Sequence, residues 1–559
     1  MVVDYIKMIN DQEAIFSDLF TRMDKDRDFL NQKDFTLFDK DDREAPDIEN
    51  VTMNDAVVFA DFVQSVLNRA GIQHEVTGEK LKDNETAFVE DFFREYLRAV
   101  DEDISQRDIH SFYAWNIQQA CFRGRIAARV TVGMDGDKFD PGVLPLDARF
   151  MVYDIGRNGL KWVAPKFNRS KAQITDEYGE EIGGKVRGSS AIVKTLWILD
   201  NKVKEIVFIG TEQVRELEFQ EYSELPFIIQ VCPAGLMLQE DDQVSRNGES
   251  IFYMARNLFT LKSKMVSIMD TVNMLSIFGG LQKEVEDEER AKKPEHPPYG
   301  KRFVVPVQKG TKGYFSMPLT DIRVATRLEY SIVDQAIQDA TLPRVSFGTL
   351  QAPTSGVGIA QLKQVEEKVF KVRTQALEVF YQRLLQMVKE QFVNKNMNIK
   401  LGQPGFIKTY SSKELEKDIA ITSKISITSR MEDMANISMV AALGGLFSDD
   451  TKLREYLHVD NPEEETRKKW AELASKVSPV IAKYEMAKAL AEQGEKIKAR
   501  LMAEEMGLTL EQLLAGQIDQ QPNEIKPEEP KQIVSMFGGG QGGGTPRSEE
   551  LMMEEQNAT

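Results

Sequence analysis

The chain has 559 residues, 42% of them hydrophobic and 29% charged, enough for roughly two to four domains around a sizeable core. With 89 acidic against 71 basic residues its net charge is −18, which argues against a sequence-specific protein that grips DNA by its phosphates. It has no apolar run long enough for a membrane span, no basic-then-apolar leader at its start and only two cysteines, Cys121 and Cys232, so neither a secretory route nor a disulfide framework is expected.

The first 125 residues read as mostly helical. Helices are expected at about 5–25, 53–70, 84–100 and 105–120, with Asn54-Asp55 and Asp83-Asn84 as caps. Past Cys121 the pattern turns to strands, at about 123–132, 150–153, 159–164, 190–199 and 204–209. Asn158-Gly159, Gly183-Gly184 and Asp200-Asn201 punctuate them. Residues 226–233, bounded by Pro226 and Pro233, read as a buried strand.

A helix running to about Ile277 carries Met254, Leu258, Leu261, Met265, Ile268, Val272 and Leu275, spaced three and four apart on one face, and Gly279-Gly280 stops it. Residues 281–319 differ. They open on the charge run Lys283 to Arg290, pass Pro294, Pro297 and Pro298, and hold strand-like pieces at 302–308 and 313–317. A second long helix is expected from near Asp321, with an inner face of Ile322, Ala325, Ile332, Ala336 and Ala340. A loop rich in Gly, Pro, Ser and Thr follows. A third long helix from about Ile359 then carries Leu362, Val365, Val369, Val372, Ala376, Phe380, Leu384 and Met387, close to a heptad stripe that packs along another long helix. A strand at 419–428, short helices at 435–514 and a Gln/Pro/Glu/Gly-rich tail from about Gln517, expected to be disordered, complete the chain.

Catalytic and metal-binding patterns are missing. None of His74, His110, His296 and His458 has a histidine partner four residues away, and there is no C-x-x-C pair. The run Gly183 to Ser190 lacks the Lys-Ser/Thr register of a phosphate loop and reads as a flexible turn. Cys232, in Val-Cys-Pro on an apolar strand, reads as a buried thiol. No enzymatic activity, cofactor or metal is expected. A hydrolase acting through carboxylates would need a buried acidic pair with a raised pKa.

The order of elements, two long helices around a small insert and then a Gly/Pro/Ser/Thr loop leading into a third, resembles the portal proteins of tailed bacteriophages. So do Gly248-x-Ser250, the loop from Pro343 to Gly356 and the segment Leu457-His458-Val459-Asp460-Asn461-Pro462-Glu463-Glu464-Glu465. The resemblance spans about residues 50–515 and implies an α+β portal fold. Its parts would be a helical and β-containing wing at 1–247, stem helices at 248–278 and 321–342, an α/β clip at 279–320 and a tunnel loop at 343–357. The long helix and returning wing strands would occupy 358–434, a helical crown 435–517 and a disordered tail 518–559.

It further implies a homo-oligomer, usually a twelve-subunit ring, at one capsid vertex of the virion, made in the host cytoplasm. Such a ring nucleates procapsid assembly, meets the major capsid and scaffolding proteins, and docks the large terminase subunit and later the tail adaptor. It passes double-stranded DNA without reading its sequence. In this chain the channel would be lined by Arg344, Ser346, Phe347, Thr349, Leu350 and Ser355 of the loop and by Arg323 and Arg327 of the second stem helix. Gly356 and Gly358 would be hinges, and Glu286, Asp287, Glu288, Glu289 and Arg290 the docking surface for motor and adaptor. The rival readings are another virion structural protein, an adaptor or scaffold, and the carboxylate hydrolase.

Overall fold

The structure, a computed structural model, describes residues 4–39, 41–45, 48–78, 83–136, 138–157, 159–235, 247–277, 281–286, 304–309, 319–341, 356–403 and 405–427, with a few helical residues between 452 and 503. The chain divides into two units, Met1–Arg467 and Lys468–Thr559. The described residues are a mixture of helix and strand, as an α+β chain requires.

The first unit begins with α1 (Tyr5–Ile15), α2 (Ser17–Leu30), α3 (Asp55–Arg69), β1 (Gly71–Thr77), α4 (Asp83–Ser105) and α5 (Phe112–Gln118). A single π-helical turn, Gln119–Arg123, ends in Gly124 at φ +65°. Strands follow: β2 (Arg125–Val130), the small hairpin β3 (Gly133–Asp135) and β4 (Lys138–Asp140), β5 (Val143–Leu146), β6 (Met151–Gly156) and β7 (Gly159–Ser170). Next come α6 (Lys171–Tyr178), α7 (Glu180–Lys185), β8 (Ser190–Asp200), β9 (Lys202–Ile209), β10 (Glu212–Phe219) and β11 (Phe227–Val231). The three long helices are α8 (Arg256–Ile277), α9 (Leu319–Ala340) and α10 (Gly356–Asn394), with β12 (Leu281–Val285) and β13 (Val304–Gln308) between the first two. β14 (Asn398–Leu401), β15 (Lys408–Ser411), the short α11 (Ser412–Leu415) and β16 (Ala420–Ser426) complete the unit.

Strands β6 to β10 form an antiparallel meander, in the order β10-β9-β8-β7-β6. Its apolar face packs on α1 and α2 through Ile9, Phe16, Leu19, Phe20 and Met23. The sheet β11-β2-β5 separates this core from the larger one. Side chains alternate across a strand, so Ile126, Ala128 and Val130 enter the large core while Ala127 enters the small one; Ile228 and Phe227 of β11 divide in the same way. The large core gathers α3, α4, α5 and α10, whose inner face is Phe370, Ala376, Leu377, Phe380, Tyr381, Leu384, Leu385, Val388 and Phe392. In the second unit the described residues, Lys469, Lys483, Ala487, Arg500, Leu501 and Ala503, are helical, with both alanines buried.

Several expectations are corrected. The first helix is two, meeting at Phe16, and the fourth shrinks to α5 plus the π turn. Asn54 occupies the N-cap of α3 but makes no side-chain cap bond. β1, paired antiparallel with β16, lies where no strand was expected. Gly183 sits within α7, where a Cβ would stand 2.0 Å from Thr175 Oγ1, so the glycine serves close packing and not a flexible turn. α9 starts at Leu319, which places Asp321 inside the first turn.

Candidate functional site

The long-helix pair α8 and α9 is held by a buried cation. Lys262 is 3% exposed, and its Nζ donates to Asp55 Oδ1 of α3 at 2.6 Å and to Asp334 Oδ1 of α9 at 2.8 Å. Nζ also lies 5.5 Å from the centre of the Tyr330 ring. Burial opposes the charge, yet the bonds to Asp334 and Asp55 outweigh it and hold the ammonium pKa above the ordinary lysine value. Met265, Val333 and Ile337 supply the apolar contacts of the pair.

The face α8 turns to the body is polar. Ser263, Ser267 and Thr271 are buried, and their hydroxyls accept the backbone N–H groups of Met53 (3.3 Å), Val51 (2.9 Å) and Glu49 (2.9 Å). Residues four apart on a helix rise about 6.0 Å. Alternate residues of an extended chain advance about 6.7 Å. The two ladders therefore stay in step for three rungs, with residues 49–53 running antiparallel to α8. Of the expected apolar stripe, Met265 is buried and Leu258 and Leu261 are partly buried against the core, while Met254, ahead of the helix, is 60% exposed. On α9 the inner face is one residue from the expected one. Val333 and Ile337 are buried, while Ile332 is 61% and Leu328 64% exposed.

The root of α8 is tied to the wall behind it. Arg256 makes a two-pronged contact with Asp26, Nε to Oδ1 at 2.7 Å and Nη2 to Oδ2 at 2.9 Å, and reaches Glu249 at 2.9 Å; Glu249 also binds Arg22 at 2.8 Å. The balanced set of two arginines and two carboxylates joins α2 to α8. Asp26 is 2% exposed, so charge pairing is what makes its burial tolerable. Gly248, of the Gly-x-Ser match, has φ +75°, and a Cβ there would lie 2.6 Å from Val231 Cγ1 and 2.8 Å from Gly124 O. A Cβ on Gly124 would lie 2.0 Å from Gly248 O, so two backbones cross with no room for side chains. The N–H of Ile251 then donates to Cys121 O of the π turn at 2.8 Å, which fixes where the stem begins.

Of the sequence-predicted site residues, Arg327 is exposed on α9 and Arg323 lies in its first turns. Gly356 is the first residue of α10 and Gly358 its third. Glu286 is exposed just past β12, which takes up the start of the charge run by pairing parallel with β13. Asp287, Glu288, Glu289, Arg290, Arg344, Ser346, Phe347, Thr349, Leu350 and Ser355 lie outside the described residues, as do the strand expected at 313–317 and most of the crown and tail. The sequence reading missed Lys262 and the three hydroxyl residues, which interrupt an otherwise apolar helix; that interruption was the available signal.

Several other buried or half-buried polar groups have structural partners. His74 Nδ1 lies 2.8 Å from Ser423 Oγ across the β1–β16 pair, and burial pushes its pKa down to about 4. Burial pushes the Cys121 thiol up to about 12 and raises that of Cys232. Arg123 and Asp147 form a two-pronged pair at 2.9 and 3.0 Å, and Arg149 and Asp24 another at 3.0 and 2.8 Å. The Arg149 hydrogen bonds hold the Asp24 carboxyl below its ordinary range. Among the described residues no three His, Cys, Asp or Glu side chains form a metal-binding group, and no helix is long and apolar enough to cross a membrane.

No protein-family model matches the chain, and no curated protein is similar to it. Among solved structures, a chain from the neck of a native GTA particle, computed with C12 symmetry, matches at 11% identity over 66% of this chain and 89% of its own, with a TM-score of 0.27. A likeness of that size carries no argument about function.

Proposed function

We propose that this chain is a structural protein of a virus particle and, within that class, a portal: a ring through which double-stranded DNA enters and leaves a capsid. The observation that carries the reading is the stem. Two helices of 22 residues each, α8 and α9, enclose a segment with its own β pair. Both are tied to the body, by the Arg256 network, the hydroxyl ladder and Lys262, before a 39-residue helix, α10, runs through the main core. Fixed helices carrying a separate small module suit a mechanical part better than a catalytic cleft.

In this reading the ring is homo-oligomeric, and twelve-fold as the sequence resemblance implies. Repeating Arg327 around an axis turns an ordinary surface charge into a belt that touches phosphates without reading bases. The net charge of −18 keeps the rest of the wall from gripping a moving duplex. Leu328 and Ile332, one turn apart and exposed, would be covered by a neighbouring stem. Residues 279–320 would dock the terminase and the adaptor, and energy for DNA movement would come from the terminase.

Negative-stain electron microscopy of the purified protein, at several concentrations and salt levels, tests the reading. End-on rings of about twelve subunits with a hole wide enough for a duplex are expected. Monomers or dimers under every condition would overturn it.

A further inference from the structure

The most exposed large hydrophobic among the described residues is Phe406, at 80%, and its neighbour Ile407 is 61% exposed. Both sit at the tip of the β14–β15 hairpin. Isolated exposed apolar residues are ordinary, but an adjacent pair on a tip is a docking feature. The tip has a defined shape. Gly402 (φ +134°) and Gly405 (φ +93°) adopt backbone conformations that side chains disfavour, and the Phe406 N–H donates to Gln403 O at 2.8 Å. A Cβ on Gly402 would lie 2.3 Å from Phe406 O, so the turn is closed tightly. The base is pinned to α4, where Lys408 Nζ and Tyr410 Oη bind Asp91 at 2.6 and 2.9 Å. Charge also singles the segment out: residues 395–413 hold four lysines and no acid, and while Lys395 and Lys408 pair with Glu221 and Asp91, Lys400 and Lys413 are exposed.

Elsewhere in the same unit lies a groove of about 910 Å³, walled by the β6–β7 turn, β11, α10 and β16. Its apolar lining includes Ile155 (64% exposed), Val379 (37% exposed) and Met387, and its charged residues are Glu224, Glu390 and Arg383, one net negative charge. No groove residue belongs to the hairpin. A knob with exposed lysines and a groove of net negative charge, sharing no residues, can pair head to tail between copies, the kind of contact that closes into rings.

We infer that the Phe406–Ile407 tip of one copy docks in the α10–β11 groove of the next. The contact deepens the ring proposal and rests on it only for closure. Two variants at exposed positions test it: a knob variant, Phe406→Asp with Ile407→Asp, and a groove variant, Ile155→Glu with Val379→Glu. Circular dichroism checks that each folds. Analytical ultracentrifugation should show each alone failing to assemble, while an equimolar mixture gives discrete dimers, because one intact knob meets one intact groove and both ends are then blocked. Phe406→Ala alone should raise the half-assembly concentration about 30-fold or more, as a buried aromatic anchor does.

A Phe406→Cys, Val379→Cys chain treated with a short thiol cross-linker should give a ladder of covalent multimers, a readout that does not need complete rings. Rings from both variants as from the unaltered chain would overturn the contact and leave the ring reading standing. Absence of rings in the unaltered chain together with a cross-linked ladder would overturn the ring and keep the contact. If the tip instead bound anionic vesicles or duplex DNA, with assembly and cross-linking unaffected by its removal, the knob would belong to that partner and the inference would fail.

Discussion

Replacing Lys262 by methionine isolates the forces that hold the stem. The methionine fills a similar volume and keeps the helix, but it removes the cation between Asp55 and Asp334. The carboxylate oxygens that share the ammonium, 2.6 and 2.8 Å from it, lie within 5.4 Å of each other. At an effective dielectric of about 20, two unit charges about 5 Å apart repel by about 3 kcal/mol. Removing one member of a buried ion pair ordinarily costs about 3–5 kcal/mol. The expected loss in urea unfolding at pH 7 is therefore about 3–5 kcal/mol. Adding Asp55→Asn and Asp334→Asn to Lys262→Met removes the repulsion and should recover most of it, leaving a deficit of about 1 kcal/mol for the lost hydrogen bonds. A single-variant cost below 1 kcal/mol, or the same cost in the triple variant, would refute the electrostatic account and leave packing as the only role of Lys262.

Three further outcomes are expected. Ser267→Ala leaves the Val51 N–H without its 2.9 Å acceptor and should cost about 1–3 kcal/mol in the same assay, whereas Ser331→Ala, on an exposed stretch of α9, should be near neutral. Gly124→Ala forces a Cβ to 2.0 Å from Gly248 O at φ +65° and should abolish soluble folded protein; recovery at the level of the unaltered chain would contradict the backbone crossing. His74 is held neutral down to about pH 4, while an unfolded histidine takes its proton near 6.5, so stability falls as pH drops between these values, by about 3 kcal/mol in all. His74→Gln should flatten that slope in urea melts taken across the window, and parallel slopes would show that other groups set it.

The parts of this fold that could be read from sequence are those where the body supplied an ordinary apolar neighbour. Ala376, Phe380 and Leu384 of α10 are buried as their heptad spacing required, and the turn at Asp200-Asn201 joins β8 and β9, with Asn201 at φ +56°. The stem helices were read only in part: Met265, Leu258, Leu261 and Ala340 do face the core, but the polar contacts beside them were missed, and the reason is physical. Periodicity finds the apolar side of a helix and assumes that side meets the body. Here the body offers α8 an extended chain whose Glu49, Val51 and Met53 N–H groups are bound by hydroxyls spaced four apart, and two carboxylates, Asp55 and Asp334, that Lys262 binds. Met254, just ahead of α8, and Leu328 and Ile332 on α9 stay exposed in the single chain. A soluble monomer gains nothing from that arrangement, since burying each such side chain is worth about 1.5–3 kcal/mol. A subunit with neighbours on both sides gains that energy on assembly. The exposed apolar pair on α9 predicts that Leu328→Ser with Ile332→Ser weakens association while leaving the unfolding free energy of the isolated chain within about 0.5 kcal/mol of its original value. A large loss of monomer stability from that pair would place the outer face inside the single chain and remove the argument for a neighbour.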